Sequence, residues 1–215
     1  MEKDRSSKVL AIAALLIAVV GLSVGFAAYS ASLTIGASAN VTPTEDFDVY
    51  FSTNGTTQVT GNVTPSFGSA TDDIAKPTGE AAALSDTTIT GLKANFTEPG
   101  QTVTYSFYAH NASDYVAYLN QVVFAEVESG KSKVCTAKSA DTIGVDAACN
   151  DITITVAVGS ETFDTTNTSV ANHTLTKDGY ETVVVTIDYA NNGNRANGDF
   201  DVEFGDITLT YNEVE

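Results

Sequence analysis

Hydrophobic and polar positions along this chain follow two periods in succession. Val9–Tyr29 is an apolar run without a charge, preceded by Lys3, Arg5 and Lys8. Directly after it, Leu33, Ile35, Ala37, Ala39 and Val41 alternate with Thr34, Gly36, Ser38 and Asn40. The run predicts an N-terminal apolar helix that takes the chain to or through a membrane, and the alternation predicts a half-buried β-strand. Strand patterning then recurs to the end of the sequence. Phe47, Val49 and Phe51 alternate with polar neighbours before an Asn54-Gly55 turn. Thr87–Thr97 reads as a strand whose apolar phase shifts at Gly91, and Pro99-Gly100 as a tight turn. Val103, Tyr105, Phe107 and Ala109 form a clean alternation ended by Asn111, and Tyr115–Glu128 reads as another long strand. Ile152, Ile154, Val156 and Val158 form the next, and Val183, Val185, Ile187 and Tyr189 the one after. The last shows Phe200, Val202 and Phe204, then Ile207, Leu209 and Tyr211, a one-residue phase change at Gly205 that predicts a β-bulge.

One long region gives no strand signal. Val63–Ser85 contains Pro65, Gly68, Pro77 and Gly79 without a clean period, and reads as a long surface loop or insertion. No stretch outside the leader has a helical period. Short strands with turns at this spacing predict an all-β fold, an antiparallel β-sandwich spanning residues 31–215, with jelly-roll-like or immunoglobulin-like connectivity.

The leader, residues 1–30, reads as a signal peptide or a membrane anchor. A cleaved signal has an apolar region of roughly 7–15 residues and a spanning helix about 20, and Val9–Tyr29 is nearer the second. Ala28-Tyr29-Ser30 nevertheless places small residues before Ala31, a cleavage site between Ser30 and Ala31. After Lys8 no cationic residue occurs until Lys76. Positive charge on the N-terminal side alone places the remainder at the cell surface or outside the cell.

Composition narrows the function. A net charge of −17 keeps the chain soluble and repels phosphate backbones, so no nucleic acid partner is expected. The two cysteines, Cys135 and Cys149, lack the C-x-x-C spacing or nearby histidines of a metal or redox site. In an oxidising compartment they predict a disulfide closing a polar loop. The two histidines, His110 and His173, fall on the polar phase of a strand and in a Thr/Asn-rich turn respectively, and read as surface residues. There is no zinc-binding His-Glu-x-x-His, no nucleophile elbow and no phosphate-cradling loop, so neither catalysis nor a cofactor is expected. Within Asn191–Asp201, Asp199 and Asp201 are the best calcium candidates, although Arg195 falls where the EF-hand register requires a ligand. Sequons include those beginning at Asn54, Asn95, Asn111, Asn167 and Asn172.

Three segments carry a resemblance. They are Gly25-Phe-Ala-Ala-Tyr-Ser-Ala-Ser-Leu-Thr-Ile35, then Glu98-Pro-Gly-Gln-Thr-Val-Thr-Tyr-Ser-Phe107 with His110-Asn-Ala-Ser-Asp-Tyr-Val-Ala-Tyr-Leu119, and Gly198-Asp-Phe-Asp-Val-Glu-Phe-Gly-Asp-Ile-Thr-Leu-Thr-Tyr211. Together they resemble the surface proteins exported with SipW-type signal peptides, the TasA and camelysin biofilm-matrix family. Where that family usually carries an acidic residue after the aromatic–Ser pair, this chain has Ala31. The resemblance implies a jelly-roll sandwich, a matrix or fibre role, and self-association by donor strand. Cleavage near Ser30 would free Leu33, Ile35, Ala37, Ala39 and Val41 as the apolar face of that strand. The rival readings are a monomeric adhesin-like module held on the membrane by residues 9–29, and a pilin-like subunit whose apolar helix builds the filament.

Overall fold

The computed structural model describes residues 47–57 and 61–213, which belong to one compact unit, Glu45–Glu215. The leader, the apolar helix expected there, Ser30, Ala31 and the alternating segment through Val41 lie outside the described residues. In chain order the strands are β1 (Val49–Ser52), β2 (Asn62–Val63), β3 (Ser66–Ser69), β4 (Thr78–Gly79), β5 (Ala82–Ser85), β6 (Thr88–Thr90), β7 (Lys93–Phe96) and β8 (Gln101–Asn111). They continue with β9 (Ala117–Phe124), β10 (Lys133–Ala137), a short helix α1 (Val145–Asn150), β11 (Ile152–Val158), β12 (Glu161–Asp164) and β13 (Ser169–Leu175). The chain ends with β14 (Tyr180–Tyr189), β15 (Phe200–Phe204) and β16 (Ile207–Glu213). The described fold is all-β, and every strand pair is antiparallel.

Three sheets result. The first runs β1-β8-β14-β11-β12, with β3 beside β1 on the same edge of β8. The second runs β10-β15-β7-β4, and the third β13-β9-β16-β6-β5-β2. The last two echo each other: β10-β15-β7 in one repeats β9-β16-β6 in the other, each long segment being interrupted once and continued in the neighbouring sheet.

The strongest alternations occupy the first sheet, where inward side chains need a period of two. Val103, Tyr105, Phe107 and Ala109 of β8 are essentially inaccessible, as are Val183, Val185, Ile187 and Tyr189 of β14. Register places Phe107 opposite Val183 and Tyr105 opposite Val185. These residues join Phe96, Phe200, Ile207 and Leu209 of the other sheets in one core cluster. The Phe96 and Tyr189 rings meet edge to face at 5.8 Å, and Tyr105 Oη donates to Glu80 O at 3.0 Å. Burial pushes the Tyr105 phenol up to about 12. A buried phenol therefore keeps its proton and its bond at any physiological pH.

Polar side chains fasten the two ends of β8. Gln101 is fully buried, and its Oε1 accepts from Thr97 N and Glu98 N at 2.8 and 3.1 Å. Its Nε2 donates to Ala75 O and to Thr97 Oγ1, both at 2.7 Å, so every polar atom of the amide is used across the Pro99-Gly100 turn. Gly100 supplies the positive φ (+88°) of that turn.

Several expectations are corrected. Val63–Ser85 is not a loop: it holds β2, β3, β4 and β5, and buries Val63, Ala82 and Leu84. Strands of two to four residues are too short to show a period, and they exist only because a longer neighbour offers its edge. The segment Thr87–Thr97 divides at Gly91 into β6 and β7, which belong to different sheets. Gly205 is not a bulge within one strand; it is where the chain leaves the second sheet (β15) and enters the third (β16). The strand expected over Tyr115–Glu128 is confined to β9, and α1 adds a helix of six residues inside the cysteine loop, too short to register as a helical period.

Candidate functional site

Cys135 and Cys149 are joined as a disulfide, with Cα atoms 6.0 Å apart. The bond ties β10, an edge strand of the second sheet, to α1, which leads through Asp151 into β11 of the first. Beside it lies an open cleft of about 400 Å³, lined by Ser132, Lys133, Asn150, Ile152, Ile154 and Thr166 among others.

Hydrogen-bond parity makes this cleft more than a dent. Ala190 N donates to Asp151 O and Gly159 N donates to Thr182 O, so the odd-numbered residues of β11 point their backbone groups at β14. The even-numbered ones point the other way. β12 covers Thr155–Val158 only, with Val156 opposite Phe163 and Val158 opposite Glu161. Ile152 and Ile154 therefore turn their N–H and C=O groups into the cleft beyond the end of β12, where no described strand pairs with them. Lys133 Nζ reaches across from β10 to donate to Ile152 O. Burial pushes the Lys133 ammonium below its ordinary value, with the Asp151 carboxylate opposing. A lysine on an open edge is a common guard against indiscriminate strand pairing.

Neither histidine is the exposed surface residue that its sequence position implied. His110 does lie on the outer phase of β8, but it is 8% exposed because Tyr50 and Tyr180 from the flanking strands cover it. Tyr50 Oη lies 2.5 Å from His110 Nδ1, and the Tyr180 ring stacks on the imidazole at 3.8 Å. His173 stands on β13 rather than in a turn, with Nε2 2.5 Å from Glu181 Oε2. Glu181 Oε1 accepts from Tyr211 Oη at 3.1 Å, so the carboxylate links β13, β14 and β16.

His110 has a measurable consequence. Burial lowers its pKa from 6.5, while Asp178 and Asp48 oppose the shift. The unfolded chain takes up this proton near pH 6.5 and the folded chain only at lower pH, so within that window the unfolded state binds more protons and stability falls as pH drops. Urea midpoints at pH 7 and pH 5 are expected to differ less in His110→Gln than in the parent; equal losses would show that His110 does not contribute.

The remaining nominated residues do not converge. Asp201 on β15 accepts from Asn95 Nδ2 at 3.1 Å and faces Lys138 Nζ at 3.7 Å, whereas Asp199 O accepts from Lys138 N. Other side chains of that loop turn to separate partners: Asn194 to Asp151, Arg195 to Glu98, Asn197 to Asp141. Among the described residues no group of three His, Cys, Asp or Glu side chains is placed to hold a metal ion. No helix among them is long and apolar enough to cross a membrane.

No protein-family model, curated protein or solved structure matches the chain. The site consequently rests on its own geometry. The cysteine pair was legible from count and spacing. Lys133 and the edge at Ile152 and Ile154 were not, because nothing in the sequence marks where β12 stops covering β11.

Proposed function

We propose that this chain is an extracytoplasmic structural protein, a matrix or fibre subunit of the cell surface, akin to the biofilm-matrix family its leader and Pro-Gly-strand segments resemble. The observation that carries the reading is the uncharged alternating segment Ala31–Val41 set directly behind an apolar leader. Cleavage between Ser30 and Ala31 leaves that segment at a chain end, where it can add to the sheet of a neighbouring copy at little topological cost. The open edge of β11 at Ile152 and Ile154 supports the reading from the acceptor side, with Lys133 as the guard that a matching strand displaces. Head-to-tail addition of this kind does not close on itself, so it gives filaments.

A jelly-roll-like sandwich suits this reading. One face is the first sheet; the other is the second and third together, with β6 continuing as β7 and β15 as β16. From β7 onward the chain passes between the faces at β8, β9, β11, β13, β14 and β15, as two interlocked Greek keys require.

Deletion of Ala31–Val41 tests the proposal. The parent is expected to sediment as fibres visible by electron microscopy, and the deletion variant to remain soluble and monomeric. Filaments that persist without the segment but require residues 9–29 would replace the proposal with the pilin-like reading. A parent that is monomeric and released from membranes by detergent, but not by high salt, would replace it with the anchored module.

A further inference from the structure

Five sequons fall where the structure describes the asparagine side chain: Asn62 is exposed on β2 with Thr64-Pro65 after it, and the other four, Asn54, Asn95, Asn111 and Asn167, differ sharply in environment. Asn111 is fully buried, with Nδ2 donating to Tyr115 O at 2.7 Å and to Leu175 O at 3.0 Å. Its own sequon hydroxyl, Ser113 Oγ, is buried too and donates to Asn111 Oδ1 at 2.6 Å. Both amide hydrogens therefore hold the end of β8 together, and a sugar on that nitrogen would break the fold. Asn95 is committed in the same way, its Nδ2 donating to Phe200 O at 3.2 Å and to Asp201 Oδ1 at 3.1 Å across β7 and β15. Asn167 is exposed, but its Nδ2 leans on Thr162 O at 3.5 Å inside a closed turn.

Asn54 differs from all three. It is exposed, at the bend that follows β1. Its Oδ1 accepts from Thr56 N at 3.0 Å and from Thr56 Oγ1 at 2.8 Å, so the sequon threonine holds the carbonyl end of the amide. Among the described residues nothing accepts from its Nδ2, and the residue is exposed. The bend is also held in place rather than free to fold over the amide. Buried Ser52 Oγ accepts from Asn54 N at 3.1 Å and lies 2.8 Å from both Asn54 O and Thr57 O. Gly55 packs so near the Tyr108 ring that an added Cβ would sit 2.9 Å from it.

We propose that Asn54 is an N-glycan acceptor, and that Asn95 and Asn111 are not. The donor is a polyprenyl-diphosphate-linked oligosaccharide. Asn54 Nδ2 forms the bond to C1 of the reducing-end sugar, the bond from C1 to the diphosphate oxygen breaks with its electron pair on the leaving diphosphate, and one Nδ2 proton is lost. No oxidant or reductant is needed. A glycan here stands on the flank of β1, away from the cleft at Ile152 and Ile154, so it is compatible with strand addition there. The proposal rests on the extracytoplasmic placement argued above.

Glycopeptide mass spectrometry on protein recovered from the native cell surface tests it, with protease accessibility on intact cells reporting placement separately. The peptide containing Asn54 is expected to carry a glycan mass that Thr56→Ala abolishes, while peptides containing Asn95 and Asn111 stay unmodified. A surface-accessible protein with bare Asn54 overturns this inference alone. A protein inaccessible on intact cells with bare Asn54 overturns both it and the placement. A glycan on Asn95 or Asn111 in the folded protein overturns the accessibility argument.

Discussion

Gly205→Ala is expected to destabilise the protein by about 3 kcal/mol, at the upper end of what overpacking costs. The reason is contact with backbone. A Cβ at this position would sit 2.0 Å from Ala125 O and 2.6 Å from Ala125 C, distances that no rotamer change relieves. The closeness is inherent in the sheet crossing. Ala125 N donates to Asp206 O at 2.8 Å and Gly205 N donates to Ser132 O, so the β9–β10 connection and the β15–β16 junction are bonded to each other where both strands change sheets. Gly68→Ala is the matched control, because its added Cβ would meet nothing nearer than Thr102 Cβ at 3.8 Å, and it should shift stability by less than about 0.5 kcal/mol. Urea denaturation of both variants checks this. A Gly205→Ala midpoint equal to the parent's would mean that the chain does not cross between sheets at that point.

Loss of the disulfide is the second large effect. The cysteines are 14 residues apart, and opening a loop of that size is expected to cost about 3 kcal/mol in the chain-entropy account. The Cys135→Ala/Cys149→Ala double variant should show that loss by denaturant titration under oxidising conditions, while a reductant should lower the parent to the same stability. The damage should also be local. The bond joins β10, an edge strand half-exposed along its length, to a helix of six residues that has no side-chain cap. Hydrogen exchange should therefore speed up in β10 and α1 and stay slow in β8 and β14, whose alternate residues Val103–Ala109 and Val183–Tyr189 are buried in the core. Uniform loss of protection across the unit would show that the bond holds the whole core rather than one edge.

The parts of this fold that were legible in the sequence are those with two unlike faces. β8, β11, β14 and the β15–β16 pair each set an apolar side against the core and a Thr, Ser or Asp side outward over five residues or more, and a period of two shows only over that length. β2, β4 and β12 have no such length. They are strands because β5, β7 and β11 offer them an edge, and that offer depends on residues distant in the chain. His110 failed as a surface residue for a related reason. Its phase was read correctly, but an outer face is exposed only if the adjacent strands leave it so, and Tyr50 and Tyr180 do not. The phase shifts at Gly91 and Gly205 were visible as well, yet a shift within a strand and a passage between sheets produce the same pattern, and only strand partners separate them.

The sequence alone determined the all-β class, the positions of the long strands and the pairing of the two cysteines, because periodicity and a count of two cysteines are properties of neighbours in the chain. Tertiary structure decided which sheet each half of a broken strand joins. It also decided that Ile152 and Ile154 face an open cleft under Lys133, and that Asn111 is sealed while Asn54 stands open. Each of these depends on where another strand ends and on whose hydrogen bonds are already used, and no local pattern of hydrophobic and polar residues records either.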